Sequence, residues 1–223
     1  MNALQVIDFS ILIKFLPVIG RGLLVTLELW CICAAVAFGL GLLLALGRLS
    51  RFGPLRLVLN LLFEVFRDTP VLVQLIWLFY VFPILAGVHL SAFAAAVLGL
   101  SLNSAAYSSE IFRAGIVGLS RGQWEAGAAL GMGRAVVLRR IILPQAIGRM
   151  IPAFANRAIE LAKMTSLASV LSVHELMYQA RLLNTTFYRP LETFTVVAII
   201  YLVVISPAAM IAAHLEQKVA VYA

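Results

Sequence analysis

Three residues placed where chemistry could be done stand inside an otherwise apolar run near the middle of the C-terminal half. Asn156, Glu160 and Lys163 are spaced i, i+4, i+7 and fall on one stripe of an α-helix, whereas Arg157 is rotated about 100° from Asn156. An ionisable group in a membrane span costs roughly 2.5–3.5 kcal/mol on insertion scales, so such groups face a bundle interior or a water-filled cavity. Counted from an entry near Ile147 at ~1.5 Å per residue, Glu160 lies roughly 20 Å in, at or beyond the midplane of a ~30 Å core. A carboxylate there can read a cationic solute, and Gln74 can add a carboxamide from an earlier apolar stretch. The alternative is an i, i+3 ion pair in which Glu160 and Lys163 only neutralise each other. Glu64, Arg67 and Asp68 form a second i, i+3, i+4 cluster, read as an internal brace for a helix kink at Pro70.

Other chemistries find little material. None of Lys14, Lys163 and Lys218 follows a glycine, so the Gly-Lys of a nucleotide-binding P-loop is missing and this chain is not expected to be an ATPase or any other enzyme. Cys31 and Cys33 sit two apart in an apolar run, cannot share a helix face, and read as packing residues. His89, His174 and His214 are scattered, so neither a metal site nor a resident cofactor is expected. The net charge of +7 is spread between apolar runs without a basic stripe, which argues against nucleic acid.

The elements that hold the polar stripe follow from composition. With 63% apolar and 12% charged residues in 223, the chain is an all-α integral membrane bundle in a lipid environment. Five spans are expected, at about 22–47, 55–85, 91–111, 147–171 and 193–215, within a single transmembrane domain covering 1–223. Val6 to Ile19 contains Asp8, Lys14 and Pro17 and reads as an interfacial segment. Met1 to Ser10 has no positive charge, so a cleavable signal is not expected and the first span should be retained. Arg48, Arg51, Arg56, Arg113, Arg121, Arg134, Arg139, Arg140, Arg149 and Lys218 fall on one side of this arrangement. Lys14, Arg21, Arg181 and Arg189 fall on the other. The positive-inside bias therefore puts the 119–146 connection and the C-terminus in the cytoplasm and the N-terminus outside.

That connection is not a passive linker. Helix formers are dense between Glu125 and Leu130, Gly131 and Gly133 interrupt them, and Ala135 to Ile142 resumes with apolar Val136, Val137, Ile141 and Ile142 against Arg139 and Arg140. The pattern predicts a short helix, a glycine break and an amphipathic helix on the cytoplasmic face. An interfacial hairpin that merely caps the bundle would have the same periodicity.

The residues themselves resemble a known family. Glu125-Ala126, then Gly131, then Leu143-Pro144 is similar to the EAA loop of permease subunits of ATP-binding-cassette importers, with Gly127 where a second alanine usually falls. Phe66-Arg67-Asp68-Thr69-Pro70-Val71-Leu72-Val73-Gln74-Leu75 resembles the F-R-G-T-P-x-x-V-Q-L segment of the polar amino-acid permeases, Asp68 replacing glycine. Tyr107 to Arg113 resembles their Y-x-x-E-I-F-R, Gly122 to Ala126 their G-Q-x-E-A, and Lys163 to Leu167 their K-D-T-S-L, with Met164 in place of a polar residue.

The resemblance implies a type I importer permease, paired with a second permease subunit as a homodimer or heterodimer in a bacterial inner membrane. Two cytoplasmic ATP-binding subunits, which would hold ATP and magnesium, are expected to dock on Glu125, Ala126, Gly127, Gly131, Leu143 and Pro144. A periplasmic solute-binding protein would deliver a polar amino acid, and Gln74, Asn156 and Glu160 would bind it. Glu125 is expected either to cap its helix or to pair with a basic group on the ATPase. The cationic preference of Glu160 points to a basic amino acid or an opine-like derivative. The alternative function is an ion-gradient-driven secondary transporter with Glu160 as proton carrier, for which the span number is small and no inverted repeat is visible.

Overall fold

The computed structural model describes residues 14–220, and among them every regular element is helical. We label the helices α1 (Leu16–Arg48), α2 (Gly53–Asp68), α3 (Val71–Ala86), α4 (Ala92–Val117), α5 (Arg121–Ala129), α6 (Arg134–Val137), α7 (Leu143–Met164), α8 (Leu176–Phe187) and α9 (Pro190–Ala220). By length and hydropathy α1 and α9 are each able to cross a membrane, and α2 and α3 pass the same test as one interrupted pair. The helix α4 is marked differently: its Ser101, Asn103, Ser104, Ser108 and Ser109 are buried small polar residues, and Asn103, Ser104 and Ser109 bond to side chains or backbone of other helices.

Several expected boundaries move. The first span begins at Leu16, not Gly22, because Pro17 lies in the first turn, where a missing N–H costs nothing. The part of the expected interfacial segment before Lys14 lies outside the described residues. The expected second span is broken at residues 69 and 70, since Pro70 takes an extended conformation (φ −61°, ψ 132°) between α2 and α3. The connection expected over 119–146 does not end before the fourth span: α6, a wide π turn at Leu138–Ile142 and α7 follow one another without interruption from 134 to 164.

A second π turn lies within α3 at Trp77–Val81, and the two share a cause. In each, the residue just before a proline reaches back five positions, Phe82 N–H to the Trp77 carbonyl ahead of Pro83 and Leu143 N–H to the Leu138 carbonyl ahead of Pro144. Proline cannot donate to the carbonyl four residues back and its ring crowds that turn, so a widened turn upstream accommodates it.

The chain divides into two compact units, neither a continuous stretch of sequence. The first takes the chain through Ala35, Thr69–Ser101 and Ile159–Pro207, and the second takes Val36–Asp68, Leu102–Ala158 and the described residues from Ala208. In the first, Leu29, Cys33, Leu75, Leu100, Leu161 and Leu171 form one core cluster, and Ile19, Leu176, Ala180, Leu183 and Val197 form another. Cys33 is thus a packing residue, as its spacing from Cys31 suggested, while Cys31 is exposed. In the second unit, Ala45, Phe112, Leu119, Val137, Ile142, Ala146 and Met150 pack together.

Candidate functional site

The corner between α5 and α6 is built by a helix stop. Helix α5 ends in a Schellman arrangement: Met132 N–H reaches the Gly127 carbonyl and Gly131 N–H the Ala128 carbonyl, each at 3.0 Å. Gly131 is left-handed (φ 71°), which a side chain would resist. The chain then turns into α6 and packs it back on α5. Gly127 is the buried residue of α5, and a Cβ placed on it would lie 2.5 Å from Val137 Cγ2. The departure from alanine at this position is therefore complementary to the valine opposite.

The extra residue in the π turn sets the face of the following segment. Val137 and Ile142, five apart, are both buried, and Ala146 and Met150 continue at intervals of four. Glu125, Ala126, Leu143 and Pro144 are left exposed around the corner, and Leu130 is 78% exposed. An open pocket of about 410 Å³ lies between Trp124, Arg134, Ala135 and Leu138. Glu125 is in the second turn of α5, too far along to cap a helix whose N-cap residue is Ser120, so the capping role is corrected. Among the described residues Glu125 makes no ion pair.

The polar stripe of α7 is exposed. Asn156, Glu160 and Lys163 lie on accessible surface, whereas Arg157, beside them in sequence, is 9% exposed. Arg157 is rotated about 100° from Asn156 and about 60° from Glu160, toward the packed side of α7. The Asn156 amide donates to a Glu216 carboxylate oxygen on α9. Gln74 has a different setting: it is 8% exposed, and its amide nitrogen donates to the Thr69 carbonyl at 3.0 Å and to Thr69 Oγ1 at 2.7 Å. Its side chain braces the start of α3.

Of the cluster before the break, Arg67 and Asp68 pair at 3.0 Å in solvent-accessible positions, and the Arg67 guanidinium lies 5.0 Å from the Phe63 ring centre. Such an exposed pair adds little stability.

Two polar networks were not singled out in the sequence. Arg48, counted there only as a topological charge, donates to Asn60 Oδ1 at 2.9 Å, Ser109 Oγ at 3.1 Å and Glu110 Oε2 at 3.2 Å, and lies 3.7 Å from the Phe63 ring centre. Glu110 also receives Arg113 through both carboxylate oxygens, so the Y-x-x-E-I-F-R segment serves to join α1 to α4.

In the other unit, Glu175 is fully buried in the connection between the expected fourth and fifth spans. It caps α8, accepting Met177 N–H at 2.9 Å and Tyr178 N–H at 2.7 Å, and it accepts the Tyr201 hydroxyl at 3.1 Å. Burial pushes this carboxyl above the usual range, against the opposing pull of the two backbone N–H groups, Tyr201 and Thr26. An acid immediately before an apolar run, here Glu175 before Leu176-Met177, is the start signal that could have revealed it.

Comparison with known proteins agrees with this architecture. Residues 37–221 match the family described as binding-protein-dependent transport system inner membrane component. The chain is 36% identical over 212 residues to the arginine transport system permease protein ArtQ of Bacillus subtilis (strain 168), covering 95% of this chain and 97% of that protein. It is 37% identical over 218 residues to the putative glutamine transport system permease protein GlnP of Rickettsia felis (strain ATCC VR-1525 / URRWXCal2), covering 96% and 99%. Among solved structures it is similar to one described as the crystal structure of an amino acid ABC transporter with histidines. That likeness has a TM-score of 0.88 at 35% identity and covers 95% of this chain and 99% of the other. Likeness to the inward-facing MetNI methionine ABC transporter, at 17% identity and a TM-score of 0.72 over 92% and 98% of the two chains, concerns the fold. A gradient-driven secondary transporter is set aside by these matches. The glycine-stopped helix α5, the helix pair broken at Pro70 and the match over 37–221 together place this chain in the family of inner-membrane permease components of binding-protein-dependent ABC importers.

Proposed function

We propose that this chain is the permease subunit of an importer for a polar amino acid carrying a cationic side chain, or an opine-like derivative of one. It works by alternating access driven by two ATP-binding partner subunits. It pairs with a second permease subunit and receives solute from a periplasmic binding protein. In this reading the chain has five spans, with the N-terminus outside and the α5 corner in the cytoplasm. The observation that carries the solute class is the accessible Glu160 on α7, in a helix face shared with Asn156 and Lys163. Glu160 reads the cationic end, and Asn156, one turn earlier, reads the polar backbone end. Gln74, whose amide nitrogen holds Thr69, supports that end from the start of α3. Its relatives include an arginine transport system permease and a putative glutamine transport system permease, so the test compares cationic with neutral solutes.

In this reading the corner of α5 and α6 is the coupling element. Glu125, Ala126, Gly131, Leu143 and Pro144 meet the ATPase, and Gly127 holds the corner closed from within. ATP and magnesium belong to the partners.

The test is uptake into proteoliposomes with saturating binding protein, comparing arginine, lysine, histidine and glutamine. Losing a charge-assisted hydrogen bond of about 1.5–3 kcal/mol predicts a roughly 10- to 150-fold loss of affinity at the permease for the cationic solute in Glu160→Gln, with basal ATP hydrolysis retained. Transport at the wild-type rate and affinity would show that the stripe is structural. A native solute that proves acidic would overturn the role of Glu160 while leaving the importer reading intact.

A further inference from the structure

Pro70 has no N–H to give to the carbonyl of Phe66, four residues earlier, at the place where α2 ends. Asn103 of α4 donates to that carbonyl: its Nδ2 lies 2.8 Å from the Phe66 oxygen, and the hydroxyl of Tyr107, one turn on, donates to the Arg67 oxygen at 3.4 Å.

A carboxamide can present either end, and here its orientation is dictated by Arg157. Arg157 Nη2 donates to Asn103 Oδ1 at 2.9 Å. A guanidinium has donors only, so it accepts the oxygen end of Asn103 and turns the NH2 end toward Phe66. The guanidinium is itself held at Ser104 Oγ, 3.0 Å from Nη2 and 3.2 Å from Nε, and lies 4.2 Å from the Tyr107 ring centre. Asn103 and Ser104 are each 1% exposed. Arg157 belongs to α7, which is helical without a break back to Arg134 at the cytoplasmic corner.

We propose that Arg157 is a positioning residue for transport: by orienting Asn103 it fixes the broken end of α2, and so ties displacement of α7 to the break in the second span. The proposal rests on the permease reading above. The two fail differently, because a chain that is not an ATPase-driven permease would show no solute-stimulated hydrolysis in the wild type.

The experiment uses the complete importer in proteoliposomes and measures solute uptake and ATP hydrolysis together at equal amounts of assembled complex. Asn103→Asp separates the two bonds, since the carboxylate still accepts from Arg157 but has no N–H for Phe66. We expect it to assemble and to keep its basal hydrolysis while uptake per ATP falls about tenfold, the scale of one buried hydrogen bond. Arg157→Met should lower the ratio similarly, and Arg157→Met with Asn103→Leu should be no worse than the poorer single change, because one residue acts through the other. A wild-type ratio in Asn103→Asp, or multiplying losses in the double variant, would overturn the proposal. Should Asn103→Asp fail to accumulate, Tyr107→Phe removes only the hydroxyl donor to Arg67. A two- to threefold fall in uptake per ATP is then expected, and an unchanged ratio overturns the proposal equally.

Discussion

Gly127 and Val137 should behave as a coupled pair. A methyl added at Gly127 would sit 2.5 Å from Val137 Cγ2, 3.1 Å from Cγ1 and 3.4 Å from Cβ, and Val137 is 1% exposed. A helical valine has one strongly preferred rotamer, so it cannot swing aside cheaply. Gly127→Ala gains about 1 kcal/mol of helix propensity and loses about 1–3 kcal/mol to overpacking, a net destabilisation of roughly 0–2 kcal/mol. Val137→Ala removes two methyl groups, about 1.6 kcal/mol at 0.8 kcal/mol per buried group before any cavity term. In the double variant the new methyl occupies the space vacated by Cγ2. The pair should therefore be more stable than the sum of the singles by about 1–3 kcal/mol. Limited proteolysis of the α5 corner in the purified, detergent-solubilised permease, with retention of the ATPase as a second readout, gives the four corners of the cycle. Additivity within about 0.5 kcal/mol would refute the packing argument.

Three further outcomes are expected. Gly131→Val should uncouple the importer while Gly131→Asn stays close to wild type, because asparagine tolerates the φ of 71° and no neighbour crowds that position; solute-stimulated ATP hydrolysis reads this, and equal behaviour of the two would remove the conformational explanation. Glu125→Lys, at an exposed and unbonded position, should leave the permease folded but lose the ATPase on co-purification, and undiminished co-purification with undiminished transport would remove its docking role. A reporter fused after Ala129 should be cytoplasmic and one after Asn184 periplasmic, the reverse being incompatible with ATPase docking on α5. A fourth concerns pH. The Glu175 carboxyl is raised in the folded chain, so the folded state binds its proton more tightly than the unfolded state does. Stability from this group is then greatest below the unfolded value and declines as pH rises through the folded one. Glu175→Gln should flatten that decline in a thermal unfolding series, and an unchanged pH slope would assign the decline to other groups.

Much of the architecture is legible in the residues because a bilayer leaves the chain few choices. Apolar runs of span length must be helical when no water can satisfy the backbone, and glycine after a dense run of helix formers is a stop, as Gly131 proves to be. The separation of exposed Asn156 from buried Arg157 matches the rotation of about 100° between adjacent residues, which is a property of any α-helix. These are local consequences of covalent geometry and of the solvent, and they need no knowledge of neighbours.

What lies between distant segments is another matter. That Phe66 is served by Asn103, that Asn103 is oriented by Arg157, and that Arg48 joins Asn60 to Glu110 are pairings across 12 to 62 positions, with no period to betray them. Gln74 reads in the sequence as a solute-binding carboxamide, and nothing there shows that its amide nitrogen lies within 2.7 Å of Thr69 Oγ1. The same holds for Gly127, a loosened helix in one dimension and the seat of Val137 in three. Sequence determined the helices, their polar stripe and the family, because those depend on composition and spacing. Only the tertiary structure decided which polar groups meet, because a hydrogen bond is short and directional and its partner is set by packing that brings remote turns together.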